Sequence, residues 1–176
     1  SSYHAANAQK AKSDAPWNQW IEKDFPFFSA TVDARTKASE NNLAPRALVF
    51  PLGEDHFLAY DIDLLRVAVM WKAREVPFIN ASMSVNSYPY QLKKVRGGQG
   101  ALPKPHGDIL FQNGIYPGVG IGLPDFKDPR PVPPTETEVG RGGIDPKLAR
   151  FRGINLQSKI EIEYEVETTK VSERFR

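Results

Sequence analysis

The chain has 176 residues, with 23 Lys and Arg against 21 Asp and Glu for a formal net charge of +2. That is one domain, long enough to bury roughly 70% of its unfolded surface, with no global field to draw in nucleic acid or an anionic membrane. It contains no cysteine, which excludes disulfides, thiol nucleophiles, iron–sulfur ligation and thioether attachment of haem.

Residues 1–24 read as an N-terminal arm and a short helix. The arm, to residue 13, is polar with little to bury. Asp14 then precedes Ala15-Pro16-Trp17, an acidic cap with proline in the first turn. Trp17, Trp20 and Ile21 fall at i, i+3 and i+4 and would share a helix face that ends before Pro26. The pair packs on the domain or docks on another protein.

Residues 25–176 read as a single β-rich domain. Phe27 to Ala34 is the first predicted strand, followed by a polar loop from Lys37 to Asn42. Ala47 to Pro51 and His56 to Tyr60 form a hairpin around Gly53-Glu54-Asp55. Arg66 to Lys72 follows, with Val67, Val69 and Trp71 expected on one face and Arg66, Ala68, Met70 and Lys72 on the other. Phe78 to Val85 is a further strand candidate. Between Asn86 and Gly153 lie 12 of the 13 glycines and 10 of the 15 prolines. This stretch is an irregular insertion of long loops, with one short strand at Asp108 to Phe111. Loops of this length in a small domain are usually functional or bound to something. At the C-terminal end, Ile160, Ile162, Tyr164 and Val166 alternate with Glu161, Glu163, Glu165 and Glu167, which specifies a half-buried strand over 159–167, preceded by a turn at Gln157-Ser158. The architecture expected is mainly β: an antiparallel sandwich or partly open barrel, one short N-terminal helix, and long Pro/Gly-rich loops.

Chemistry is sparsely signalled. Asp61 and Asp63 would share a strand face, where paired carboxylates serve Ca²⁺ or glycosidic chemistry. The plainer reading is that they end a strand, cap the backbone and pair with Arg66. His4, His56 and His106 lie in unrelated contexts and lack zinc spacing. Gly118, Gly120 and Gly122 do not make a dinucleotide fingerprint, because Pro117 and Pro124 flank them and no helix opens there. Lys93, Lys94 and Arg96 precede Gly97-Gly98, a basic loop that suits an acidic partner, with Tyr88 and Tyr90 as flat apolar surface nearby. Tyr116 and the loop tyrosines also suit sugar stacking, while Trp71 is expected in the core.

The order of several short segments carries a resemblance: NLAPRALVFPLG (42–53), AYDIDLLRVAVMW (59–71), FINAS (78–82), DPRP (128–131) and GGIDPKLARFRGINLQSKIEIEYEV (142–166). Over residues 25–176 the series resembles an uncharacterised N-terminal module of large secreted proteins from planctomycetes, verrucomicrobia and related bacteria. Those proteins follow the module with a sugar-dehydrogenase-like or propeller region and a c-type cytochrome domain. The resemblance implies a periplasmic or otherwise extracytoplasmic protein, and it supplies no catalytic residues; the start at Ser1-Ser2-Tyr3-His4, without Met, is expected to be a mature N-terminus left by signal-peptide removal. It also implies either a separated fragment or a short relative recruited as a subunit.

The expected function is a non-catalytic scaffold subunit docking on other proteins of an envelope complex, one carrying electron-transfer cytochromes, without cofactor, nucleic acid or a membrane span of its own. Partner contacts are assigned to Trp17, Trp20, Tyr88, Tyr90, Lys93, Lys94 and Arg96. The alternatives are a carbohydrate-binding sandwich using Asp61, Asp63 and Tyr116, and a sugar-active enzyme using Asp61, Asp63 or Glu54.

Overall fold

A computed structural model describes residues 26–40, 42–79, 102–114, 117–130, 142–157 and 160–175. These form two antiparallel sheets, with no helix among the described residues. The first sheet is a five-stranded meander: β1 (Phe28–Asp33), β2 (Leu43–Gly53), β3 (His56–Asp61), β4 (Arg66–Ile79) and β5 (Lys104–Gln112). The second is a three-stranded meander: β6 (Ala149–Asn155), β7 (Glu161–Val166) and β8 (Thr169–Arg174). A mainly β fold of two antiparallel sheets is as expected, and it contains no closed barrel.

The five-stranded sheet curls. At one end its outer strands meet: Asp33 N–H donates to the Pro103 carbonyl at 2.8 Å, and Gln112 Nε2 donates to the Ala34 carbonyl at 2.6 Å. No ladder joins β1 to β5, so the sheet stays open. The concave face holds a first core in which Trp71, Phe57 and Phe78 pack among Ala30, Ala34, Ala44, Ala47, Ala59 and Ala68. Small residues opposite large ones let a curled sheet close on its own side chains. Trp71 stacks on Phe57 at 5.6 Å and meets Phe78 at 5.2 Å, and its indole N–H donates to the Pro77 carbonyl at 2.9 Å. The convex face of β2 and β3 carries Leu48, Phe50, Leu58 and Tyr60, which pack with Ile162 and Ala149 of the second sheet in a second core. Residues Ile160, Ile162, Tyr164 and Val166 all join that core, as their alternation requires.

Four expectations are corrected. A bulge lies at Ala68, because Ala59 pairs with Val69 while the next residue, Tyr60, pairs with Val67. One extra residue inverts the phase of a strand. Val67 therefore packs on the second core, and Ala68, Val69 and Trp71 on the first, so the expected sharing of faces fails. Second, the strand from Arg66 does not stop at Lys72. It runs to Ile79 across an excursion between Ala73 and Phe78, where Glu75 has φ +58° and the Val76 carbonyl lies 3.2 Å from His106 Nδ1. Third, β6 begins inside the 86–153 stretch, and β5 is nine residues long. Fourth, β8 has no counterpart in the expectations; it returns from β7 through a tight turn at Glu167, φ +50°. The expected helix near Trp17 and most of the strand candidate Phe78 to Val85 lie outside the described residues.

Candidate functional site

The turn joining β3 to β4, Ile62–Leu65, is the point on which the irregular parts of the chain converge. Arg66, 2% exposed, opens β4 and points its guanidinium into the fold. It donates to the Asn113 carbonyl at 2.8 Å and to Asn42 Oδ1 at 3.2 Å, and its Nε lies 3.4 Å from Asp61 Oδ2. The bulge explains why these asparagines gather here. Among the described contacts, the Ala68 carbonyl receives Asn42 Nδ2 at 2.9 Å and the Asn113 N–H at 3.1 Å. Asn113 follows Gln112, which pairs with Val69, so its bond continues the β4–β5 register, and a buried carbonyl needs such donors.

Asp61 is fully buried and accepts the Asp63 N–H at 3.0 Å. Asp63, also buried, forms an ion pair with Arg46. Burial pushes the Asp61 carboxyl above its ordinary range, with Arg66 opposing and Asp63 reinforcing the shift. The two carboxylates thus cap the strand end and serve internal arginines. Neither opens onto a described cleft, and Glu54 stands exposed at the tip of the β2–β3 hairpin with φ +49°.

The same turn holds the loops on either side. The Leu64 carbonyl accepts the Gly118 N–H at 2.9 Å, and the Asp63 carbonyl accepts the Ile144 N–H at 3.0 Å. Gly118 is required by contact: a Cβ there would lie 2.1 Å from the Leu65 carbonyl oxygen. At the far end of the loop, Arg130 chelates Asp128 through two bonds of 2.8 Å and donates to the Gly142 carbonyl at 2.8 Å. Burial opposes the Arg130 charge, but Asp128, Asp61 and Asp63 more than offset it and hold the guanidinium above its ordinary range.

Between these anchors, residues 119–127 present large apolar side chains to solvent: Ile121 is 52% exposed, Phe126 65% and Leu123 91%. The loop borders an open cleft of about 440 Å³ lined by Val119, Ile121, Pro124, Phe126 and Leu148. A second apolar surface lies on β5, the terminal strand of its sheet, where the consecutive Ile109, Leu110 and Phe111 are 46, 50 and 47% exposed. Both faces of the strand are therefore open there. The outer face of the second sheet is charged instead: Glu165 pairs with Arg150 and Arg152, and Glu161 with Arg174.

Of the residues singled out from sequence, Trp17, Trp20, Tyr88, Tyr90, Lys93, Lys94, Arg96 and Tyr116 lie outside the described residues. His56 and His106 are on separate strands, and no group of three or more potential metal ligands occurs among the described residues. No described helix is long and apolar enough to cross a membrane. Sequence reasoning passed over Ile109–Phe111 and Ile121–Phe126. The usable signal was bulky apolar residues set among glycine and proline: 121–126 lie where no regular element can bury them, and 109–111 on a strand that leaves both faces open. These surfaces offer contact.

A search of curated proteins finds no match, and none is found among solved structures. Residues 58–173, from β3 to the penultimate residue of β8, match the family model described as Domain of unknown function (DUF6797), and the chain belongs to that family.

Proposed function

We propose that this chain is a non-catalytic interaction module that docks, through β5, on another protein of an extracytoplasmic assembly. The supporting observation is the run Ile109-Leu110-Phe111, half-exposed on a terminal strand. Natural sheets blunt their edges with charge or cover. An apolar run left open on both faces suits an interface whose anchors are aliphatic and aromatic. The internal use of Asp61 and Asp63 supports the choice of docking over sugar binding or hydrolysis. The resemblance to modules found beside cytochrome domains supports an electron-transfer assembly as the setting.

The test is native purification from an envelope fraction, with mass spectrometry of whatever stays bound. The chain is expected to recover a defined set of proteins, cytochromes among them. Ile109→Lys/Phe111→Lys should lose them by more than about tenfold while unfolding at an unchanged denaturant concentration, because two central anchors of an interface carry much of its affinity. Recovery of the native chain as a free monomer would refute the proposal.

A further inference from the structure

We infer that the loop 119–127 is a lipid contact, seating Ile121, Leu123 and Phe126 at the acyl boundary of a phospholipid bilayer. This goes beyond protein docking through β5 and uses different residues. Three observations select the bilayer as occupant.

The first is shape. The three side chains fall within six positions of one loop and project from a base fixed at Gly118 and Arg130. Asp125 Oδ1 accepts the Lys127 N–H at 3.1 Å, and Asp128 Oδ1 accepts the Arg130 N–H at 3.0 Å, so local turns also set the descending limb.

The second is area. A stable protein interface takes about 800 Å² from each partner, spread over some 20–30 residues. The loop instead concentrates its apolar surface in a projecting tip, with Leu123 91% exposed, and an interfacial membrane contact needs only apolar side chains reaching below the headgroups.

The third is charge. Asp125 and Lys127 cancel on the loop, and the whole chain carries only +2. The loop itself thus offers no net charge to an acidic partner or anionic lipid, and its contact rests on apolar side chains. A single contact of this kind gives reversible partition, as one acyl chain does.

The native chain has no thiol, so Leu123→Cys provides a unique site for an environment-sensitive fluorophore. The labelled chain, titrated with zwitterionic phosphatidylcholine vesicles, is expected to show a blue-shifted emission that saturates between about 0.1 and 1 mM accessible lipid. The shift should persist in high salt, because no charge pair sustains it. The same label at Ser172→Cys, exposed on β8, should not shift. In flotation with the same vesicles, unlabelled Leu123→Glu/Phe126→Glu should partition at least about tenfold less than the native chain. Absence of any Leu123 shift in a folded chain would overturn the inference. So would equal flotation of the double variant, or a loop that binds purified protein partners while ignoring vesicles. A native chain that ignores vesicles while keeping its β5-dependent partners would refute the lipid contact alone.

Discussion

Removing the charge of Arg66 tests whether the buried cluster is what holds the irregular loops. Arg66→Met keeps the apolar stem and deletes the bonds to Asn113, Asn42 and Asp61. Both members of the ion pair are about 1% exposed. Breaking a pair at that depth costs about 3–5 kcal/mol, because the surviving charge stays buried and uncompensated. That is a large share of the ~5–15 kcal/mol that holds a domain together. Burial already raises the Asp61 carboxyl, and Arg66 is the group that most opposes the rise. Without Arg66, the folded-state value climbs further above its unfolded one. A carboxyl raised in the folded state contributes stability that is complete below its unfolded pKa and is lost as pH increases through its folded pKa. The variant should therefore lie furthest below the native chain near pH 8 and recover toward it at about pH 5. Urea unfolding followed by circular dichroism at both pH values measures this, with an unchanged slope confirming that the same surface is exposed. Adding Asp61→Asn to Arg66→Met should restore at least about 1 kcal/mol near pH 8, since the stranded carboxylate is gone. A loss below about 1 kcal/mol, or one equal at the two pH values, would refute the reasoning.

Two further outcomes follow from contacts already described. Gly118→Ala places a Cβ 2.1 Å from the Leu65 carbonyl oxygen. It should cost about 1–3 kcal/mol and speed proteolysis within 117–130, while Gly120→Ala, with open space around it, stays within about 0.5 kcal/mol. Equal behaviour of the two glycine variants would show that Gly118 anchors nothing. Burial raises the Glu173 carboxyl, so the native chain gains stability as pH falls through its folded value toward the unfolded 4.5. Glu173→Gln should flatten that slope and stabilise above neutrality, by under about 1 kcal/mol after solvent screening; parallel stability–pH curves would count against it.

Strands that bury one face and wet the other were legible in the sequence. β7 shows this most plainly: four apolar residues alternate with glutamates, and all four pack on the second core. β8 was not legible because Thr169–Arg174 has one apolar residue, Val171, and gains its place from pairing with β7 rather than from a buried face of its own. The Val67–Trp71 alternation misled for a different reason. Period 2 assigns faces only while pairing stays in phase, and a bulge depends on what the partner strand and the turn beyond it require.

The bulge also links the fold to the proposed contacts. At the bulge, the buried Ala68 carbonyl is the acceptor that Asn42 and Asn113 share. Those asparagines offer Arg66 two of its acceptors, and Arg66 in turn lets Asp61 remain inside. Asp61 orders Asp63 through its N–H, and the turn that carries Asp63 and Leu64 fixes Ile144 and Gly118. The cluster beside the β4 bulge thereby ties the exit from β5 to the entry into β6, and the exposed loop 119–127 hangs between those two points. None of this could be read from the Asp61-Asp63-Arg66 spacing, which showed only that the three residues could pair. The apolar loop is thus tied at its base to a polar core. A substitution in that core should move Leu123 and Phe126 without touching them, so Arg66→Met is expected to weaken any contact made by the loop.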